Sequence, residues 1–185
     1  MYLEIEAKLK VDSFEPVEGR LVEQAASLVS EAIQTDIYFD TAAGDLTRTD
    51  RCLRLRLEAM HGQEYFVLTY KGPKQADDFK RRKEVNLNVT DAAAVESLLE
   101  GLGYRRALAF NKQRREWKLS DCLVALDTLP LIGTFVEIEG VNSSIIRSVQ
   151  ETLGLTDVPH VMDSYACLME AALSRLESKR REVFL

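Results

Sequence analysis

The sequence predicts an α+β fold built around an antiparallel sheet, and three observations predict it. Segments of strict apolar/charged alternation recur along the chain, the period of a strand with one buried face. Several consecutive segments of this kind are joined by tight turns, which makes neighbours antiparallel. Stretches of helical spacing fall between and after them. The order is strand, helix, a run of strands, helix, more strands, then helices, which suits α+β rather than an α/β alternation.

The first strand is Tyr2-Leu3-Glu4-Ile5-Glu6-Ala7-Lys8-Leu9-Lys10, with Leu3, Ile5, Ala7 and Leu9 on one face and Glu4, Glu6, Lys8 and Lys10 on the other. Asp12 opens a helix with Glu15 in capping-box position, and Leu21, Ala25, Leu28 and Val29 form its apolar stripe. Thr35 to Asp40 is β-branched and aromatic, hence a strand, and Ala42 to Asp45 turns the chain. Leu53-Arg54-Leu55-Arg56-Leu57 alternates again. A turn over His61-Gly62-Gln63 leads into Tyr65 to Lys71, which Gly72-Pro73 is expected to end.

Phe79 to Val89 alternates with Arg82, Glu84, Asn86 and Asn88 on one side. Asp91 to Leu102 has helical spacing and stops at Gly103. Tyr104 to Leu119 is a long strand carrying Lys112, Arg114, Glu116 and Lys118 on one face. Asp121 to Leu129 and Thr134 to Val141 form a hairpin across Pro130 and Gly133. Ser143 to Leu153 is helical. Asp163 or Ser164 caps a last helix with Tyr165, Leu168, Met169, Ala172, Leu173 and Leu176 on its stripe. The charged tail, Ser178 to Leu185, is expected to fray.

Length and composition bound the function. At 185 residues, 46% hydrophobic and 29% charged, the chain suits one domain, residues 1–185, with the strands over about 2–141 and C-terminal helices over about 143–177. A net charge of −6 speaks against a general nucleic-acid or acidic-membrane partner. No apolar run has the length of a membrane span and no signal-peptide pattern opens the chain. Cys52, Cys122 and Cys167 are widely separated and outside any CxxC, so a reduced cytoplasmic protein is expected. His61 and His160 are the only histidines, too few for a zinc site or a Ser-His-Asp triad.

Two arrangements suit so many amphipathic strands. The apolar faces can meet in a sandwich and leave the charges in water, or the sheet can close with charges inside and helices covering the apolar outside. The apolar stripes of the helices need a partner surface, which favours the closed sheet. An interior of mixed sign then has to be paired, metal-bound or solvated. Glu4, Glu6, Asp127, Glu137 and Glu139 are hard oxygen ligands suited to Mg2+ or Mn2+. Lys8, Arg54, Arg56, Lys71, Lys112 and Arg114 are donors suited to phosphate oxygens. Together they are what phosphoryl or nucleotidyl transfer requires. No Walker A or dinucleotide fingerprint is present, so side chains must supply the phosphate grip.

These residues resemble the CYTH superfamily, the triphosphate tunnel metalloenzymes, from residue 2 to about 168. The carriers are Glu4-Ile5-Glu6-Ala7-Lys8, Asp36-Ile37-Tyr38-Phe39-Asp40, Leu53-Arg54-Leu55-Arg56, Leu68 to Pro73, Lys112-Gln113-Arg114, and Asp127 followed by Gly133 to Glu139. Thr69-Tyr70-Lys71-Gly72-Pro73 and Asp36 to Asp40 are most similar to the class IV adenylyl cyclase branch. The resemblance implies an eight-stranded antiparallel β-barrel tunnel with helices packed outside, binding a triphosphate and divalent metal. It places Glu4, Glu6, Asp127, Glu137 and Glu139 on the metal, and Lys8, Arg54, Arg56, Lys71, Lys112 and Arg114 on the phosphates, with Glu4, Glu6 and Lys8 catalytic. One departure stands out: many relatives read Arg-x-Glu-x-Glu where this chain reads Arg82-Lys83-Glu84-Val85-Asn86.

The implied activity is conversion of ATP to cyclic AMP and pyrophosphate. The same residues would serve a triphosphatase acting on inorganic, thiamine or nucleoside triphosphate, or a non-catalytic triphosphate-binding module. The partner is a triphosphate; neither nucleic acid nor membrane is expected, and the cyclase branch admits a homodimer.

Overall fold

A computed structural model describes residues 2–60, 62–75 and 78–185. The turn expected at His61 therefore lies partly outside the described residues. The first strand, β1 (Tyr2–Val11), is followed by helix α1 (Glu15–Glu23), strand β2 (Ser27–Thr41), the single-turn helix α2 (Asp45–Arg48), and strands β3 (Cys52–Met60), β4 (Gln63–Gln75) and β5 (Lys80–Val89). Then come α3 (Ala92–Gly101), β6 (Tyr104–Leu119), β7 (Cys122–Leu129), β8 (Gly133–Gly140), α4 (Ser143–Thr152), α5 (Tyr165–Arg175) and the two-residue β9 (Glu182–Val183).

Strands β1 to β8 close into an eight-stranded antiparallel barrel in the order β2-β3-β4-β5-β1-β8-β7-β6, with a β2–β6 pairing completing the ring. Closure removes the sheet edges. It also gives every strand an inner and an outer face, and the charged positions take the inner one. Glu4, Glu6 and Lys8 of β1 are buried, while Ile5, Ala7 and Leu9 pack outward against Val17 and Leu21 of α1 and Ile146 and Val149 of α4. Phe110 and Phe135, which share the inward parity of Lys112 and Glu137, meet Met169 and Leu173 of α5. On another side Ile37 and Leu55 meet Leu99 of α3. The apolar stripes of α1, α3 and α4 thus cover the apolar outside of the barrel, while α5 packs on inward-facing residues and brings Tyr165 to the cavity, so the sandwich alternative falls.

Several element boundaries differ from the sequence reading. Helix α1 ends at Glu23, and Leu28 and Val29 belong to β2. Ala25 adopts φ 53° and Ala26 N–H donates to Leu21 O, a left-handed turn that stops the helix. The Asp12/Glu15 capping box does not form; Phe14 is the first boundary residue and has no side-chain cap. Gly72-Pro73 does not end β4, which runs on to Gln75 across an irregularity between Lys71 and Lys74. That fits proline's place at bulges, where no ladder donor is needed. Ser164 rather than Asp163 caps α5, accepting from Cys167 N–H, and Leu176 of the expected stripe is exposed. The tail expected to fray instead holds β9, parallel to β6 at Ala109 and Phe110.

Candidate active site

The inner faces meet around one cavity of about 350 Å³. Of the eleven side chains singled out in the sequence, ten line it, from β1, β3, β4, β6 and β8. The ladders dictate who faces whom. Glu6 stands opposite Lys80 on β5 and Glu139 on β8, and Lys8 stands opposite Glu137. Asp36 stands opposite Arg56, and Arg114 opposite Asp127.

One side of the interior is a grip of cations. Arg56 donates twice to Asp36, at 2.6 and 2.8 Å, and Arg54 lies 3.7 Å from the same carboxylate. Arg54 also donates to Thr69 Oγ1 at 3.2 Å. Asp36 is fully buried; burial opposes its ionisation, but the two guanidinium groups prevail and hold it well below the usual carboxylate range. Asp127 plays the same part on β7, across β6 from Asp36. It accepts from Lys112 at 3.0 Å, twice from Arg114, and from Tyr165 Oη at 2.9 Å. Arg114 also reaches Glu137. Lys8 stands 3.3 Å from Glu137 and 3.8 Å from Glu6, donates to Asp163 O at 3.1 Å, and lies 4.1 Å over the Tyr165 ring.

Two of these ammonium groups are easy to deprotonate. Burial, then the neighbouring Lys80 cation, brings Lys8 down to about 8. Burial, then the Arg114 guanidinium, brings Lys112 down to about 7. Both are therefore able to hold or accept a proton near neutral pH.

The other side is acidic. Lys71 lies between Glu4 and Glu84, at 2.7 Å from a carboxylate oxygen of each, and Lys80 donates to Glu6 at 2.6 Å. Burial opposes the charge on Glu84, but Lys71 outweighs it and draws its carboxyl down to about 2. On Glu6 burial and Glu137 raise the carboxyl, yet Lys80 and Lys8 hold it below the ordinary value. On Glu4 burial wins over Lys71 and the carboxyl is raised. Glu139 has no ion pair or hydrogen bond from its carboxylate among the described residues; burial, then Glu4 and Glu6, push it up to about 7.

The signs are therefore unequal. Glu4, Glu6, Glu84 and Glu139 outnumber Lys71 and Lys80 on one side. Lys8, Arg54, Arg56, Lys112 and Arg114 outnumber Asp36, Asp127 and Glu137 on the other. An excess of buried carboxylate with one member unpaired fits a hard divalent cation, and the cation excess fits a polyanion. Among the described residues, no three carboxylate, histidine or cysteine side chains already converge at metal-ligand spacing; lysines hold Glu4 and Glu6 instead.

Asp127 departs from its expected role on the metal. It lies behind the cavity wall, and four donors occupy its two oxygens. Lys80, Asp36 and Tyr165 join the site although the sequence reading did not assign them to it. Lys80 was detectable from its inward parity with Arg82 and Glu84. Asn86, where the resemblance implies a second acid, accepts from Thr69 Oγ1 at 2.7 Å and donates to Tyr2 Oη at 3.2 Å. It carries a chain of hydrogen bonds from Arg54 through Thr69 on to Tyr2 with a neutral group. Arg82 straps the mouth, donating to Gly72 O and Asp50 O at 2.9 and 2.7 Å.

Fold and interior together define a closed antiparallel barrel whose charged interior is split by sign. The chain belongs to the CYTH domain family, whose model matches residues 2–152. It is 30% identical over 137 residues to MJ0240 of Methanocaldococcus jannaschii, named a candidate adenylate cyclase; the match covers 74% of this chain and 76% of that one. It is 31% identical over 150 residues to the adenylate cyclase CyaB of Aeromonas hydrophila, covering 76% and 74%. The PH1819 protein of Pyrococcus horikoshii superposes with a TM-score of 0.79 at 26% identity, over 91% of this chain and 99% of that one. Among the described residues no helix is long and apolar enough to cross a membrane.

Proposed function

We propose that this protein is a divalent-metal-dependent enzyme of triphosphates that converts ATP to cyclic AMP and pyrophosphate. The observation that carries this reading is the split cavity, with surplus carboxylate facing surplus cation across one enclosed space. The relatives named as adenylate cyclases support the choice of reaction. Glu4, Glu6 and Glu139, with Glu137 and Glu84 beside them, would hold Mg2+ or Mn2+. The ion, when bound, supplies positive charge to phosphate oxygens.

The protein's own groups do the rest. Arg54, Arg56, Lys112 and Arg114, pre-aimed by Asp36 and Asp127, bind the phosphate chain and neutralise the charge that builds on the leaving pyrophosphate. The ribose 3′-oxygen forms its bond to the α-phosphorus while the bond from that phosphorus to the β-phosphate's bridging oxygen breaks. The hydroxyl proton passes to the neutral amine of Lys8, with Lys112 the second group able to take one. A triphosphatase needs the same residues and differs in the nucleophile, a water at the terminal phosphorus.

Incubation with ATP, and separately with inorganic tripolyphosphate, each with Mg2+ or Mn2+, tests the reading when products are resolved by chromatography. Cyclic AMP with pyrophosphate is the expected result. Orthophosphate without cyclic AMP would assign a triphosphatase, and binding without turnover would leave a triphosphate-binding module.

A further inference from the structure

Each glutamate of the Glu4-Ile5-Glu6 segment is already covered by a lysine, Glu6 by Lys80 of the adjacent β5 and Glu4 by Lys71 of β4, one strand further round the barrel. Lys71 Nζ donates to Glu4 Oε1 at 2.7 Å and Oε2 at 2.8 Å, and lies 2.7 Å from Glu84 Oε2. Lys80 Nζ donates to Glu6 Oε1 at 2.6 Å. All five side chains are largely buried, so these are tight contacts in a weakly screened interior. Glu139, on the strand opposite Glu6, has no such cover.

A hard divalent ion seeks the same carboxylate lone pairs that these ammonium groups occupy. An ammonium engaging both oxygens of Glu4 leaves a metal no unopposed approach to that carboxylate, and its charge repels the ion besides. We propose that Lys71 and Lys80 are resident counter-ions of the metal site, which a divalent cation displaces from Glu4 and Glu6 and so turns toward the anion in the same cavity. The inference rests on the metal-dependent reading above. It makes these lysines negative determinants of metal affinity in the anion-free protein, and it gives Glu84 its use: it keeps Lys71 within reach while Glu4 is handed over.

The test is a Mn2+ titration of anion-free protein, following free Mn2+ by electron paramagnetic resonance, for wild type, Lys71→Met, Lys80→Met and Lys71→Arg. The methionine variants are expected to bind Mn2+ at least about tenfold more tightly, equivalent to about 1.4 kcal/mol; the arginine variant, still cationic, stays near wild type. In parallel, Lys71→Met melts lower than wild type in EDTA, and saturating Mn2+ raises its Tm by more. Equal or weaker affinity in both methionine variants would overturn the proposal while leaving the metal reading intact. Absence of Mn2+ binding by every form would remove both. Should Lys71→Met fail to fold even with Mn2+, Lys80→Met carries the same comparison at Glu6.

Discussion

The two sides of the cavity satisfy their charges in different ways. On the basic side each of these carboxylates is the hub of several donors: Asp36 serves two arginines, and Asp127 serves Lys112, Arg114 and the Tyr165 hydroxyl. On the acidic side Glu6 is held mainly by Lys80, Glu4 and Glu84 share Lys71, and Glu139 has no partner among the described residues. A hub with many donors fixes donor directions in advance, which favours rapid capture of a large anion. A carboxylate with one ammonium, or none, can exchange that partner for another cation. The basic side is fixed in advance; the acidic side keeps partners that it can exchange.

The largest expected effect breaks the acidic side. Glu6→Gln or Glu139→Gln should lower metal-dependent turnover about a hundredfold or more, the scale of losing a transition-state charge contact, while circular dichroism shows an intact barrel. Full activity in both variants would show that these glutamates are not the metal's ligands.

Next comes a break in the basic side. Asp127→Ala leaves Lys112 and Arg114 buried beside each other without their shared carboxylate. Removing one partner of a buried pair costs about 3–5 kcal/mol, readable as a fall in the urea midpoint at unchanged m-value. A change below about 1 kcal/mol would mean that the hub is solvated and weak.

A pH series sharpens the comparison further. Lys112 loses its proton near pH 7 because burial and Arg114 disfavour the ammonium. Above that pH it becomes neutral and attracts the anion less. Tripolyphosphate itself gains charge as pH rises, but equally for any variant. The affinity of Lys112→Arg, which stays cationic, should therefore gain on wild type between pH 6 and 8.5, by calorimetry. Parallel slopes for the two proteins would remove Lys112 from the grip.

The smallest expected effect concerns Asn86. Asn86→Asp adds a carboxylate to the Arg54–Thr69 chain and should tighten Mn2+ binding only about two- to threefold, because the new charge meets Arg54 rather than the glutamates. A tenfold gain would mean that Asn86 already borders the cation site.

Much of this was legible in the chain. Alternation over Tyr2 to Lys10, Leu53 to Leu57 and Tyr104 to Leu119 specified which side chains share a face, because the strand period is two whatever the fold. Surplus charge on those faces, with apolar helix stripes needing cover, pointed the charges inward. Ten of the eleven predicted residues accordingly line the cavity. The start of β2 was less legible: Leu28 and Val29 satisfy helical spacing locally and became strand because β6 pairs along this segment, Leu28 opposite Trp117 and Ser30 opposite Glu116, with Val29 in the irregularity between them.

The sequence by itself thus determined the faces, the mixture of carboxylates and cationic donors that the interior holds, and the antiparallel class. Tertiary structure alone decided the partnerships: that Asp127 joins Lys112 and Arg114 and not the glutamates, that Lys71 and Lys80 cover Glu4 and Glu6, and that Glu139 is left without an ion pair among the described residues. The reason is geometric. Parity along one strand states which way a side chain points, whereas its neighbour is set by the register of ladders between distant segments and by how the ring closes.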